Sequence, residues 1–373
     1  MRGSISQRSA GSFTIQVSGG FSDAGKRVRI TRTVRGTRRD AERALTKLLR
    51  EVDTGTAVPT GSTTLAKYLV ETWLPHAATR VRPTTYRRYV GLVNVHVLPR
   101  IGRVKLSSLR PAHVQTVVDG MIEGGAAPAS VLQSHRVLSS ALRQAVRWQV
   151  MAVNPAAAVR PPRPERAQLT IPTTEESRMM LEASRDTLYE IPLLLAATTG
   201  MRRGEVLGLR WPAVDLDAGV ARVVATLQKV GGEARFVAPK TDRSRRTVSL
   251  PPSVVDRLRA HRKAQLERRL LLGAAWPDLN LVVDRGDGEH MDPDTFGHAF
   301  HRIAKDAGLP TVRLHDLRHG FATTLLAAGV NVKVVSEALG HSSTSFTLDT
   351  YAHVLPTMGE QVATTIESAL GRA

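Results

Sequence analysis

Residues 314–329 read LHDLRHGFATTLLAAG, with His315 and Arg318 three positions apart. On a helix both lie on one side of the first turn. Cations are disfavoured there, because the backbone dipole is already positive at a helix N-terminus. A bound anion, phosphate above all, would reverse that cost. Taken alone, the pair reads more simply as a solvated helix end, so the rest of the chain has to decide. Three other stretches carry side chains of the same kind. TTGMRRGEVLGLRW (198–211) has Arg202, with Glu205 three residues on and able to hold the guanidinium in place. APKTDRSRRTVSLP (238–251) presents Lys240 before a polar turn. ALGHSSTSFTLDTYAHV (338–354) places His341 after a helix ending at Gly340, and Tyr351 ten residues later.

These side chains need elements to hold them. Leu317, Phe321, Leu325 and Ala328 give the first stretch one apolar helical face, and Gly329 is its stop signal. A second helix is expected to start near Gly200, with Val206 and Leu209 turned inward. VARVVATLQ, ARFVAPK and RRTVSLP look like three short antiparallel strands. Residues 170–373 therefore read as a mixed α/β segment.

Upstream the patterning changes twice. Residues 1–58 alternate like a small sheet, with Val28 and Ile30 on one face and Arg27 and Arg29 on the other. A helix over about Arg39–Val52 follows, with Ala44, Leu48 and Val52 on one side. An arginine-faced sheet backed by a helix suits a DNA groove, and the alternative is a solvated sheet edge. GTAVPTGSTT (55–64) reads as a linker. The segment 62–160 reads as an all-α bundle. TLAKYLVETWLPHA is one helix and TTYRRYVGLVNVHVLPRIG a second, closed by Pro99 and Gly102. Leu109–Met121 and Ser130–Val150 complete it. Its polar faces carry Arg80, Arg82, Arg87 and Arg88, which are phosphate contacts or ordinary helix-surface charge. Proline-rich 161–169 reads as a second linker.

Composition bounds the partners. The formal charge is +19 over 373 residues, mostly arginine spread through patterned segments. Such a field favours polyanions, with nucleic acid ahead of an anionic membrane surface. No run of apolar residues is long enough to span a membrane, and no apolar leader opens the chain. There is no cysteine, so disulfides and thiolate metal sites are excluded. His290, His298 and His301 lack partners at ligand spacing and are read as structural, with no metal expected. The expected location is cytoplasmic and nucleoid-associated.

The ordered set T-G-x-R-x-x-E, a lysine followed by S-x-R, H-x-x-R, G-H and Y-x-H-V resembles the tyrosine recombinase (phage integrase) family. Each signature alone is weak; five in this order, from Thr198 to Val354, are specific. VLPRIG and NPAAAV in the helical segment resemble the family's core-binding domain. Residues 1–58 are more loosely similar to its arm-type DNA-binding domains. The resemblance implies a multidomain, mainly α chain with small β-sheets. Its parts are an arm-binding domain (1–58), a helical core-binding domain (62–160), a linker (161–169) and a mixed α/β catalytic domain (170–373).

It also implies a reaction, site-specific DNA strand transfer through a 3′-phosphotyrosyl intermediate, integrating or excising a mobile element. Each strand transfer exchanges one ester for another, so neither ATP nor any other cofactor is expected. Arg202 and Arg318 would clamp the phosphate with donors that stay charged, and His341 would add another. Tyr351 is the expected nucleophile and His315 the expected base. Lys240 would protonate the leaving 5′-oxygen, ahead of Lys229 and Arg243 because T-x-x-S-x-R follows it. Glu205 is expected to support Arg202. Tyr68, Tyr86, Tyr89 and Tyr189 are read as structural, and His319 and His353 as packing and hydrogen-bonding groups. Expected partners are double-stranded recombination sites, a homotetramer on paired sites, and accessory DNA-bending and directionality proteins. Val362, Ile366 and Leu370 mark an amphipathic tail that docks in cis or on a neighbour.

Two rivals remain from residues alone. LLAAGVNVKVVSEALGH can pass for the helix-turn-helix of a regulator, with Val335 and Ser336 reading DNA. A type IB topoisomerase would share the chemistry without choosing sites.

Overall fold

Alternation in the first forty residues folds as it reads. Strands β1 (Ser4–Ser9), β2 (Ser12–Phe21) and β3 (Arg27–Arg35) form an antiparallel meander in that order. Val17 pairs with Ile30 and Phe13 with Val34, so one face is apolar, while Arg29 and Arg35 pair with Ser18 and Ser12 on the other. Helix α1 (Arg38–Asp53) covers the apolar face with Ala41 and Leu48. The computed structural model describes residues 3–21, 27–53, 63–165, 170–239, 245–341, 343–351, 367–368 and 370–371. The chain divides into two compact units, 1–166 and 167–373.

The first unit has a second, separate core in its helical part. Helices α2 (Leu65–Lys67) and α3 (Leu74–Ala78) are joined by a π-helical stretch, Tyr68–Trp73. Helices α4 (Pro83–Leu92) and α5 (Leu98–Ile101) are joined by another, Val93–Val97. Each widened stretch lies just before a proline, Pro75 or Pro99. A proline removes one amide donor and crowds the carbonyl four residues back, and a π turn makes room for its ring. The helix expected to be closed by Pro99 and Gly102 ends at Ile101 with Gly102 as its cap, Pro99 lying in its last turn. Helices α6 (Pro111–Glu123) and α7 (Pro128–Arg147) complete the bundle. Tyr68 is buried there and donates to the Ala141 carbonyl at 2.9 Å, and Tyr89 stacks on Trp73. Arg80, Arg87 and Arg88 are exposed and Arg82 is half-buried.

The second unit is helical around small sheets. It contains α8 (Thr174–Ala183), α9 (Glu190–Thr199), α10 (Arg203–Leu207), α11 (Pro252–Leu272) and α12 (Pro293–Asp306). Its remaining helices are α13 (Leu314–Ala327), α14 (Val332–Leu339) and α15 (Thr344–Tyr351). Strands β4 (Val214–Asp215), β5 (Val220–Val223) and β8 (Arg246–Ser249) form one sheet, while β6 (Thr226–Val230) and β7 (Glu233–Val237) pair separately. The expected single strand 220–228 is thus two strands in two sheets. The second half leaves to lie on α10, where Gly204 and Gly208 let it approach. A Cβ on either would stand 2.6–2.8 Å from the Leu227 backbone.

Helix α13 divides its side chains between two cores. Leu317 faces the main core. Ala322 and Leu326 join Val335, Leu339 and Tyr351 in a smaller one. Phe321 and Leu325, expected on a buried stripe, only border that smaller core, and Ala328 is exposed. Gly329 follows the helix with a left-handed backbone, as its stop role requires.

Candidate active site

The site lies within the second unit and is built on helix ends. Arg202 stands immediately before α10 in extended conformation. Its backbone amide donates to Glu205 at 2.9 Å and its guanidinium donates to the same carboxylate at 2.8 Å. Gly200, expected to open this helix, is instead the left-handed cap of α9. Arg246 on β8 donates at 2.9 Å to the Glu205 oxygen that also accepts from the Arg202 amide. Glu205 therefore bridges two arginines from a buried position. Burial pushes the Glu205 pKa up, but the Arg246 hydrogen bond and charge, with those of Arg202, outweigh it and hold the group ionised.

The three arginines share a second anchor, the C-terminus of α14. Arg246 donates to the Ala338 carbonyl at 2.6 Å, Arg318 to Leu339 at 2.5 Å, and Arg202 to Gly340 at 3.2 Å. The last carbonyls of a helix have no intrahelical partner and carry the negative end of its dipole, so cations are welcome there. Arg318 also donates to the Gly200 carbonyl at 2.6 Å, closing α9. Arg318 itself is 3 % exposed. Burial and the neighbouring Arg202 and Arg246 charges bring its pKa down to about 9, so it stays charged at neutral pH. Glu205 is the carboxylate among these three guanidiniums, so the cluster is two charges positive and suited to an anion. Arg202 keeps 39 % of its side chain in solvent, where an anion can reach it.

Three histidines and Tyr351 adjoin the cluster. His341 follows α14, with Nδ1 at 2.8 Å from the buried Thr347 hydroxyl. Burial, then the Arg318 and Arg202 charges, push its pKa down to about 4. His315 is exposed in the first turn of α13, and its pKa too is lowered, by desolvation and by the same two arginines. Tyr351 ends α15 and is 1 % exposed. Its hydroxyl lies 2.7 Å from Nδ1 of His319. Burial pushes the Tyr351 pKa up to about 12, against the pull of the Arg318 charge. Ionising it at neutral pH then costs about 7 kcal/mol. The expected base, His315, is not what touches the phenol; His319 is. The signal available in the sequence was its position one turn after His315, on the same side of α13.

Of the expected set, Arg202, His315, Arg318, His341 and Tyr351 come together in one site, with Glu205 beneath. Arg246, inside the S-x-R signature without an assigned role, belongs to it as well. Lys240 and His353 lie outside the described residues, as does the tail from residue 352 to Ile366. The Arg27 side chain is likewise outside them. Lys229 is engaged elsewhere, paired with Asp292 at 2.9 Å.

A sequence model of the phage integrase family matches residues 171–358, and one of the phage integrase N-terminal SAM-like domain matches residues 66–122. The chain belongs to the phage integrase family. A "tyrosine recombinase XerC-like" protein of Caldanaerobacter subterraneus subsp. tengcongensis is 28 % identical, covering 86 % of this chain and 87 % of that one. A fragment of the Tn1549 transposon integrase, solved with a circular intermediate DNA, superposes with a TM-score of 0.69 at 19 % identity. The match covers 83 % of this chain and all of that fragment. Lambda integrase, solved as a tetramer on a Holliday junction, gives a TM-score of 0.58 at 18 % identity over 95 % of each chain. Family membership makes this integrase-type chain a site-specific DNA recombinase. In the helix-turn-helix-like stretch, Val335 and Ser336, which the rival reading put in the recognition helix, are buried. Among the described residues no helix is long and apolar enough to cross a membrane.

Proposed function

We propose that Tyr351 is the nucleophile that attacks a scissile DNA phosphate held by Arg202, Arg318 and His341, in the recombination sites of a mobile element. The observation that carries this reading is the excess positive charge gathered at the end of α14, with Arg318 close enough to act on the Tyr351 hydroxyl. In the step, the Tyr351 Oη–P bond forms and the P–O5′ bond breaks, leaving a 3′-phosphotyrosyl ester. The 5′-oxygen takes a proton from Lys240. A 5′-hydroxyl of the second site then reverses the exchange. Negative charge grows on the non-bridging oxygens as the phosphorus becomes five-coordinate, and the fixed guanidiniums meet it without reorganising. With Thr347 donating to Nδ1, His341 keeps its Nε2–H for one of those oxygens. His315, neutral at the lip, offers a further donor.

Incubation with a nicked suicide duplex tests this. A denaturant-resistant protein–DNA adduct is expected, and Tyr351→Phe should abolish it while leaving DNA affinity unchanged. An adduct persisting in that variant rules out Tyr351.

The same reading assigns 1–58 to arm-site binding, 62–160 to core-site binding, 161–169 to a linker and 170–373 to catalysis. Arg27, Arg29, Arg80, Arg82, Arg87 and Arg88 would supply phosphate contacts, which position a protein on DNA without reading its sequence. A homotetramer on paired sites, aided by DNA-bending and directionality proteins, completes it. An apolar cavity of about 1000 Å³ in the second unit, lined by Leu181, Val248, Phe321, Leu325 and Val334, supports tail exchange between protomers. So does Leu370, which is 79 % exposed in the single chain. Truncation after Pro356 should weaken tetramer assembly on DNA more than single-site binding; equal loss of both argues against exchange.

A further inference from the structure

The established reaction requires that the phenol lose its proton, and the residue in hydrogen-bonding contact with it is not the one the sequence suggests. We propose that His319 is the general base of strand cleavage, accepting the Tyr351 proton at Nδ1. This rests on the reading of Tyr351 as nucleophile and extends it.

The geometry comes first. His319 Nδ1 and Tyr351 Oη are 2.7 Å apart, within the reach a proton acceptor needs. Their side chains meet across α13 and α15, where Tyr351 packs in the small core with Ala322 and Leu326 of α13. His315 stands behind, its ring edge-on to that of His319 with centroids 5.2 Å apart. It is a neighbour of the acceptor rather than of the phenol.

The protonation states agree. Desolvation, then the His315 neighbour, lower the His319 pKa to about 4, with Arg318 and Arg313 adding to the effect and Asp316 opposing it. His341 faces the same group from the end of α14. His319 is therefore neutral in the free protein, and a neutral imidazole accepting from the phenol at Nδ1 carries its hydrogen on Nε2. Tyr351 is held fully protonated, so the unliganded enzyme is not armed. A bound phosphodiester changes this. Its negative charge offsets the Arg318 charge that disfavours an imidazolium on His319, so proton transfer becomes easier when a scissile phosphate is present.

The step balances. The Tyr351 O–H bond breaks and an N–H bond forms on His319, giving an imidazolium. Tyr351 Oη bonds phosphorus, the P–O5′ bond breaks, and the 5′-oxygen takes the Lys240 proton. On reversal His319 returns its proton to the phenolic oxygen.

The test uses the full chain and a suicide duplex whose scissile 5′-oxygen is replaced by sulfur. A thiolate leaves without an acid, so adduct formation on it reports activation of the nucleophile. His319→Gln keeps a hydrogen-bond acceptor but cannot take a proton; it should slow the adduct about 100-fold on both substrates with DNA affinity unchanged. A rate within about threefold of wild type overturns the proposal. A faster rate also overturns it, because the contact is then only a restraint on the free tyrosine. Should His319→Gln fail to fold, His319→Asn takes its place on the sulfur substrate. The same loss of about 100-fold is expected of it, and a rate within about threefold of wild type overturns the proposal. Adduct formation by Tyr351→Phe sinks the nucleophile itself, a failure distinct from an unaffected His319→Gln.

Discussion

Arg318 and Tyr351 are nearly equally buried, at 3 % and 1 % exposure, yet the protein treats their charge in opposite ways. Arg318 keeps its charge because two helix-end carbonyls, Gly200 and Leu339, accept from its guanidinium. Tyr351 stays neutral because it sits in an apolar core with a neutral imidazole as partner. On the proposed reading, the arginine half of the site is assembled before DNA arrives and the nucleophile is held back until an anion alters the local field.

That contrast can be broken on its arginine side first. Arg318→Lys keeps a charge but loses the fork that joins the ends of α9 and α14. Adduct formation on a suicide duplex should fall about 100- to 1000-fold, the usual cost of one preorganised donor. An undiminished rate would mean that the carbonyl anchors are incidental. Glu205→Gln comes next. It leaves Arg246, buried and 2.9 Å away, without its carboxylate. Urea denaturation should show a loss of roughly 3 kcal/mol, the cost of breaking a buried pair.

The tyrosine side is sharpened by acid. His319 and His341 have pKa values of about 4 in the folded protein, below their unfolded value of about 6.5. Between those values the unfolded chain binds more protons, so stability rises with pH through this window and is lost as pH falls from about 6.5 to about 4. Thermal melts of wild type should lose stability there more steeply than melts of His341→Gln; superimposable curves would show that His341 contributes nothing. The smallest effect is expected from inorganic phosphate. Millimolar amounts should raise the melting temperature slightly, and less so in Arg202→Ala, because the ion stabilises only the folded cluster.

Local chemistry was legible where partners are close in the chain. Glu205 three residues beyond Arg202 does hold its guanidinium, because an i, i+3 pair meets on any helical turn. The arginine alternation of β3 was readable for the same reason, since a strand has period two. Errors arose where a neighbour far along the chain decided. The strand over 220–228 was read as one, but α10 draws half of it away. His319 was read as a packing and hydrogen-bonding group, but its partner Tyr351, 32 residues downstream, was not legible.

From the sequence alone came the family, the division into patterned segments and the residues that carry the charge of the site. All of these are properties of order, spacing and side-chain type. Tertiary structure decided which of two histidines one turn apart meets the phenol, and that the carbonyls of Ala338, Leu339 and Gly340 anchor three arginines gathered from three distant segments. Those contacts depend on how α9, α13, α14 and α15 converge, and no local pattern encodes a distance across a core.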